Sequence, residues 1–266
     1  MNETKCVVVH MLITMRLIAV SLTLLCTACA PSGPTPTPMT SVKHELEVQG
    51  DGARAKCLVL FLPGVGDSAS HFDKHGFTQA MRDKGLSVDM VAADATIGYY
   101  MKGLMPEQYE RDVAGPARAK GYEHTWVIGT SMGGLGTALY ARAHPVDGVL
   151  MIAPFLGDPA IAIEAKEQGG LSKWKAPAKV EQLTPDNYQR ELWRWFQAVT
   201  TGAEKGPNMY LGWGTEDSLG KSAAVLGEEL PAGHVFKVPG AHRWSTWKVI
   251  LDQFLADSEF AKTCAP

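Results

Sequence analysis

The sequence predicts an α/β protein with a mostly parallel central sheet flanked by helices. From about residue 43 onwards, short apolar runs alternate with amphipathic stretches, which is typical of repeated strand–helix–strand units. Several of these runs are apolar throughout, as in strands that are covered on both faces. The chain has 266 residues, 45% of them hydrophobic and 20% charged, which excludes a disordered protein and suffices for one sizeable core.

Seven runs have the composition of strands. An alternating edge strand is expected at 44–48, and a continuous apolar run at 56–64 is stopped by Pro63 and Gly64. The other predicted strands lie at 86–94, 124–129, 147–155, 208–214 and 234–240.

Helices are expected on the connections between these strands. The predicted helices lie at 71–85, 106–120, 132–144 and 243–257. Gly76 is a weak point of the first, and Gly115–Pro116 should break the second. The last helix repeats its large apolar side chains at helical spacing.

Residues 156–206 form the one long interruption between two strands, and we expect a small helical cap or lid there. The segment is rich in aromatic residues, namely Trp174, Trp193, Trp195 and Phe196. These side chains either pack the cap onto the sheet or contact a substrate.

The first 28 residues have the pattern of a secretory signal, because a short apolar run at 17–28 follows Arg16. Met15 is a plausible true start. Thr27 and Ala28 before Cys29 resemble the lipobox of bacterial lipoproteins, although Cys26 stands where leucine is usual. The resemblance implies cleavage before Cys29 and its acylation. The alternative is an ordinary cleaved signal in which Cys29 is incidental.

The domain organisation follows from this reading. Residues 29–42 are predicted to be a lipid-anchored, disordered tether rich in proline, threonine and serine, and 43–266 the folded domain. We expect a protein of the bacterial cell envelope, anchored to the membrane by lipid or else secreted. The residue after Cys29 is Ala30 rather than aspartate, which in lipoproteins implies the periplasmic face of the outer membrane.

The charge, the cysteines and the histidines of the sequence limit the kinds of ligand and partner that we expect. The formal net charge of −3 offers no basic excess for nucleic acid. With Cys29 acylated, Cys57 and Cys264 remain in the mature chain, either bridged or as two thiols. His71 and His75 in an H-x-D-x-H pattern could share a helix face as metal ligands, but a solvated face is favoured. We expect neither a metal nor a cofactor.

The pattern G-x-S-x-G at residues 129–133 follows a predicted strand and opens a predicted helix. This arrangement is typical of a nucleophile elbow, a tight turn that exposes the hydroxyl of Ser131. Glycines flank the serine because the turn brings backbone segments too close for a Cβ atom. The helix N-terminus behind Ser131 would face a developing oxyanion.

A serine nucleophile needs a base held by an acid. His242 follows the last predicted strand at its carboxyl end, whereas His234 begins that strand at the opposite edge. The spacing after Gly214 favours Asp217 as the acid, with Glu216 as the alternative. The order serine, acid, histidine is the one expected for such a fold.

The loop after the first buried strand reads Pro63-Gly64-Val65-Gly66-Asp67-Ser68. It resembles the L-H-G-L-G-D-S loop of acyl-protein thioesterases and related carboxylesterases, with Pro63 in place of the usual histidine. The resemblance implies that the backbone N–H groups of Val65 and Met132 hold the oxyanion.

Taken together, residues 45–258 resemble the α/β-hydrolase superfamily. The resemblance implies a serine hydrolase that cleaves a small-molecule carboxylic ester through an acyl-enzyme on Ser131, Asp217 and His242. A thioesterase or acyltransferase on the same triad, or a non-catalytic envelope lipoprotein, remains as an alternative. Acyl chain length, leaving group and oligomeric state cannot be predicted from the sequence.

Overall fold

A computed structural model describes residues 35–45 and 55–266. In these ranges a seven-stranded sheet has the order β1-β3-β2-β4-β5-β6-β7. The strands are β1 (Ser41–His44), β2 (Cys57–Leu62), β3 (Val88–Ala93), β4 (His124–Thr130), β5 (Gly148–Ile152), β6 (Asn208–Gly214) and β7 (Val235–Val238). Strand β1 pairs antiparallel with β3, and all other pairs are parallel. The predicted fold class, a mostly parallel sheet flanked by helices, is confirmed.

Eleven α-helices are formed by the described residues. They are α1 (His71–Lys74), α2 (Phe77–Asp83), α3 (Ile97–Met101), α4 (Met105–Tyr109), α5 (Gly115–Arg118), α6 (Met132–Ala143), α7 (Pro159–Glu167), α8 (Tyr188–Thr200), α9 (Gly220–Gly227), α10 (Trp244–Asp257) and α11 (Glu259–Thr263). A π-helical turn, Glu110–Ala114, joins α4 to α5, and a 3-10 turn, Leu171–Lys173, follows α7.

The helices cover the sheet on both faces, which explains why the central strands are apolar throughout. In β2, Leu58, Leu60 and Leu62 pack in the core on the side of α3–α9. Their neighbours Val59 and Phe61 pack on the side of α1, α2, α10 and α11. A strand with a core on each side has no position at which a polar side chain would reach water.

Two predicted helices differ in detail from the structure. The helix expected at 71–85 is divided into α1 and α2, because Gly76 adopts a left-handed conformation with φ of 73°. The expected break at Gly115–Pro116 does not occur. The π-helical turn carries the chain into α5, and the N–H of Gly115 bonds to the carbonyl of Glu110.

The N-terminal boundary of the fold also differs from the expectation. The antiparallel edge strand lies at Ser41–His44, so it begins before the predicted 44–48, of which only residues 44 and 45 are described. Residues that were assigned to the disordered tether contact the domain: Tyr99 Oη donates to the carbonyl of Pro36, and Met39 N–H donates to Asp112. Cys29, the signal and residues 46–54 lie outside the described residues.

A disulfide joins Cys57, at the start of β2, to Cys264 near the C-terminus. Both cysteines are fully buried. The bridge therefore resolves the two alternatives left open for these cysteines, and it ties the end of the chain to a central strand. Within the described ranges, no helix has the length and apolar character needed to cross a bilayer.

Candidate active site

Ser131 lies between β4 and α6, in the turn that the G-x-S-x-G pattern predicts. Its backbone is strained, with φ of 54° and ψ of −116°, a conformation that residues with a Cβ rarely adopt. Hydrogen bonds from both backbone groups of Ser131 hold this conformation in place. Ser131 N–H donates to the carbonyl of Ile152, and Ser131 carbonyl accepts from Phe155 N–H.

The flanking glycines are required by close backbone approach. A Cβ at Gly129 would lie 2.1 Å from the carbonyl oxygen of Gly133, and a Cβ at Gly133 would lie 1.9 Å from that of Leu62. Both distances are far below van der Waals contact. The two glycines thus let helix α6 start directly against β2 and β4, with the serine at the corner.

His242 links the serine to a carboxylate. Its Nε2 lies 2.9 Å from Ser131 Oγ, and its Nδ1 lies 2.6 Å from Asp217 Oδ2. A carboxylate accepts, so Nδ1 carries the proton and Nε2 presents a lone pair to the serine hydroxyl. The three side chains predicted from sequence are therefore brought together in the order that proton transfer from serine requires.

Asp217 is held away from water. Its side chain is 0% exposed, and Oδ1 accepts from the N–H of Leu219. Both carboxylate oxygens therefore have donors. Glu216, the alternative acid, lies on the surface. His234 stacks on Tyr210 and bonds through Nδ1 to the carbonyl of Met209, so it takes no part in the site.

The predicted oxyanion donors, Val65 and Met132, belong to two different segments near Ser131. Met132 is the first residue of α6, so its N–H has no acceptor within the helix. Val65 lies in the loop after β2, and the preceding Gly64 lies against Ser131, because a Cβ built on it would be 3.2 Å from Ser131 Cβ. The loop is closed by a hydrogen bond from Asp67 N–H to Gly64 carbonyl.

An apolar cavity of about 320 Å³ lies beside α6. Leu135 and Leu139 line it from α6, one and two turns beyond Ser131, and Leu183 and Tyr188 line it from the 156–206 insertion. The sequence interpretation missed these residues. The one sequence signal for them was the spacing of Leu135 and Leu139, which are four residues apart and therefore lie on one face of α6. Tyr100 also lines this cavity, whereas Tyr99 is fully buried.

The insertion between β5 and β6 holds α7, the 3-10 turn and α8. The four aromatic side chains singled out from the sequence pack in the core and are at most 3% exposed: Trp174, Trp193, Trp195 and Phe196. They do not line the cavity. Of the two roles considered for them, packing of the insertion and contact with a substrate, the structure supports packing.

His71 and His75 stack with ring centroids 6.0 Å apart. Across the described ranges, no group of three His, Cys, Asp or Glu residues is arranged to hold a metal ion.

Comparison with known proteins identifies the fold. The sequence matches no protein-family model and no curated protein. Solved structures do resemble it. An S-formylglutathione hydrolase from Staphylococcus aureus superposes with a TM-score of 0.54 at 10% identity, covering 87% of this chain and 100% of that one. Carboxyl esterase 2 from Tuber melanosporum superposes with a TM-score of 0.52 at 14% identity, covering 89% and 90%.

A third similar structure carries a different name. The putative non-heme bromoperoxidase of Mycobacterium tuberculosis H37Rv has a TM-score of 0.52 at 12% identity, covering 85% of this chain and 97% of that one. This chain has the α/β-hydrolase fold. Because one fold hosts several reactions, these likenesses leave the reaction to be argued from the site.

Proposed function

We propose that this protein is a serine hydrolase that cleaves small-molecule carboxylic esters through an acyl-enzyme. The observation that carries the proposal is the relay from Ser131 Oγ to His242 Nε2 at 2.9 Å and from His242 Nδ1 to Asp217 at 2.6 Å. The alignment of the three groups follows the template of serine hydrolases. The strained, glycine-flanked backbone of Ser131 supports the same role.

In the first half-reaction, Ser131 Oγ attacks the acyl carbon while His242 Nε2 accepts the hydroxyl proton. The N–H groups of Val65 and Met132 stabilise the negative charge on the former carbonyl oxygen. His242 then gives its proton to the departing alkoxide, and the alcohol leaves. Asp217 keeps the proton on Nδ1 and stabilises the imidazolium.

In the second half-reaction, water attacks the acyl carbon, and His242 accepts its proton. The same proton returns to Ser131 as the carboxylic acid leaves. The side chain of His242 is 35% exposed, so the imidazole borders on solvent. This exposure favours hydrolysis over acyl transfer to another alcohol, which would require water to be excluded. The mechanism uses no cofactor.

The test is turnover of p-nitrophenyl esters from acetate to palmitate by the full chain in mild detergent. Ser131→Ala should abolish turnover, while Ser172→Ala, an exposed serine of the insertion, should not change it. Full turnover in purified Ser131→Ala protein would refute the proposal. A matching thioester series, and the same assay with added alcohol, distinguishes the thioesterase and acyltransferase alternatives.

We also propose that Cys29 anchors the protein to the bacterial cell envelope. The Cys57–Cys264 disulfide supports export, because such bridges persist in oxidising compartments. Cys29→Ser should release the protein from the membrane fraction, whereas Cys26→Leu, which supplies the usual lipobox residue, should leave it there. Retention of Cys29→Ser would overturn the anchor.

A further inference from the structure

The loop that carries the Val65 N–H lacks the histidine that stands at Pro63 in the loops it resembles. Proline has no side-chain donor or acceptor with which to hold the loop. Yet an oxyanion donor must be fixed relative to the nucleophile, because stabilisation of the transition state depends on preorganised geometry. A side chain from elsewhere in the fold can take over the positioning of residues 63–68 against Ser131.

Asp67 is the one carboxylate in that loop, and it points into the fold. Its side chain is 19% exposed, and Oδ1 accepts a hydrogen bond of 3.2 Å from Trp244 Nε1. The other oxygen lies against Gly64, 3.3 Å from where a Cβ on that glycine would be. Among the described residues, no lysine or arginine nitrogen lies within ion-pair distance of Asp67, so an indole N–H is its principal donor.

Trp244 begins helix α10 and follows His242 by two residues. Its ring is clamped: it stacks on His75 at 4.6 Å and meets Phe72 and Phe77 edge-to-face at 5.3 and 5.2 Å. Trp247 of the same helix packs edge-to-face on both Trp244 and His242, with ring centroids 5.0 Å apart in each pair. The indole is thus a rigid donor on the segment that bears the histidine of the relay.

His71 of α1 also contacts this loop, at Ser68 and Asp67. Its Nδ1 accepts from the N–H of Ser68 at 3.0 Å, so Nδ1 is unprotonated and the proton of the neutral ring is on Nε2. That Nε2 lies 3.8 Å from Asp67 Oδ1. Asp67 therefore receives polar contacts from α10 and from α1.

We propose that Asp67 and Trp244 are positioning residues that hold the Val65 N–H against the oxyanion and tie the oxyanion loop to the segment bearing His242. This proposal rests on the proposed hydrolase function. A donor that matters only when the oxyanion forms should lower kcat when it is displaced and leave KM unchanged. Neither side chain touches the reacting atoms.

The experiment uses the full chain and p-nitrophenyl acetate. Trp244→Phe keeps an aromatic ring and removes the N–H, and we expect kcat to fall between about 10- and 100-fold with KM unchanged. Trp174→Phe is the matched control, because it removes an indole N–H that bonds to Glu164 in the insertion. Its kcat should stay within about twofold.

Asp67 provides the second set of variants. Asp67→Ala should lower kcat by a similar factor, whereas Asp67→Asn should restore most of it, since the amide oxygen can still accept from the indole. The double variant Trp244→Phe/Asp67→Ala should be no slower than Asp67→Ala alone, because the pair acts as a unit. Affinity for a boronic acid that mimics the tetrahedral intermediate should fall in parallel with kcat, which a general loss of stability would not produce.

Kcat within twofold of wild type in both Trp244→Phe and Asp67→Ala, in protein whose turnover is abolished by Ser131→Ala, would overturn the positioning role alone. Turnover that survives Ser131→Ala would instead refute the hydrolase function. If Trp244→Phe fails to fold, the Asp67→Ala and Asp67→Asn pair decides the question: equal kcat in the two overturns the proposal.

Discussion

The elbow around Ser131 and the insertion at 156–206 are held in place by different means. At the elbow, backbone packs on backbone, and the absence of two Cβ atoms allows it. The insertion is attached to α6 by side chains: Arg142 donates to Glu191 at 2.8 Å, and Arg194 donates to the same carboxylate. A geometry built from backbone leaves a local pattern in the sequence, whereas one built from distant side chains does not.

This difference explains how far the sequence could predict the site. Gly129, Ser131 and Gly133 lie within five consecutive residues, so their pattern could be recognised, and the ends of later strands then indicated Asp217 and His242. The contact between Asp67 and Trp244 spans 177 residues and carries no local signal. The cavity residues Leu183 and Tyr188 were missed for the same reason.

The secondary structure likewise contains parts that the sequence predicts and parts that it does not. The central strands were predictable because burial on both faces demands continuous apolar runs. Helices α3, α9 and α11 were missed because each is at most eight residues long, too short for a helical period to appear. The start of the edge strand was harder to predict, because β1 is only partly buried and little in its composition specifies its bounds.

The largest effect is expected at the elbow. In Gly133→Ala the new Cβ would lie 1.9 Å from the Leu62 carbonyl, so α6 must move away from β2. We expect complete loss of ester turnover and a lower Tm. Gly121→Ala is the control, since Gly121 has φ of 86° but meets no atom within 4 Å. It should cost about 1–2 kcal/mol and retain turnover. An active Gly133→Ala protein would refute the close-packing account.

The next largest effect is a loss of kcat in a protein whose stability is unchanged. Asp217→Asn should lower kcat by about 10⁴-fold without changing Tm greatly, because the amide favours the wrong imidazole tautomer. Glu216→Gln, one residue earlier and on the surface, should leave kcat unchanged. Steady-state kinetics on both variants checks this. The reverse result would assign the acid to Glu216 and leave the serine and histidine in place.

At the insertion, stability rather than chemistry should change. Glu191 is 1% exposed, so Glu191→Ala would leave Arg142 without a carboxylate and Arg194 with Glu204 alone, and we expect it to cost about 3–5 kcal/mol. Glu181→Ala, which removes an exposed carboxylate near Lys179, should cost less than about 1 kcal/mol. Denaturant titration measures both. Equal costs would show that the buried network does not hold the insertion.

The same carboxylate gives the insertion a pH dependence. Burial raises the pKa of Glu191, but hydrogen bonds from Arg194, Arg142 and the Val180 N–H outweigh it and hold the pKa below its usual value. The unfolded chain therefore takes up this proton at a higher pH than the folded one. Its stabilisation is full above the ordinary value of about 4.3 and is lost as the pH falls through the folded pKa. The stability advantage of wild type over Glu191→Gln should shrink with acidification below about pH 4; a constant difference would contradict this.

The smallest effect concerns selectivity. Leu183→Trp should fill part of the cavity of about 320 Å³ and lower the ratio of octanoate to acetate turnover about tenfold. Ile163→Trp places the same bulk on an exposed position of α7 and should leave the ratio unchanged. An unchanged ratio in Leu183→Trp would show that the acyl chain does not enter this cavity.

The central claim is that His242 and Asp217 activate Ser131 as a nucleophile. Reaction with a fluorophosphonate, followed by mass spectrometry of the digested protein, tests it most directly. The account predicts one adduct, on Ser131, whose rate of formation falls sharply in His242→Ala and in Asp217→Asn. An adduct on another residue, or labelling of Ser131 at an unchanged rate in both variants, would contradict it.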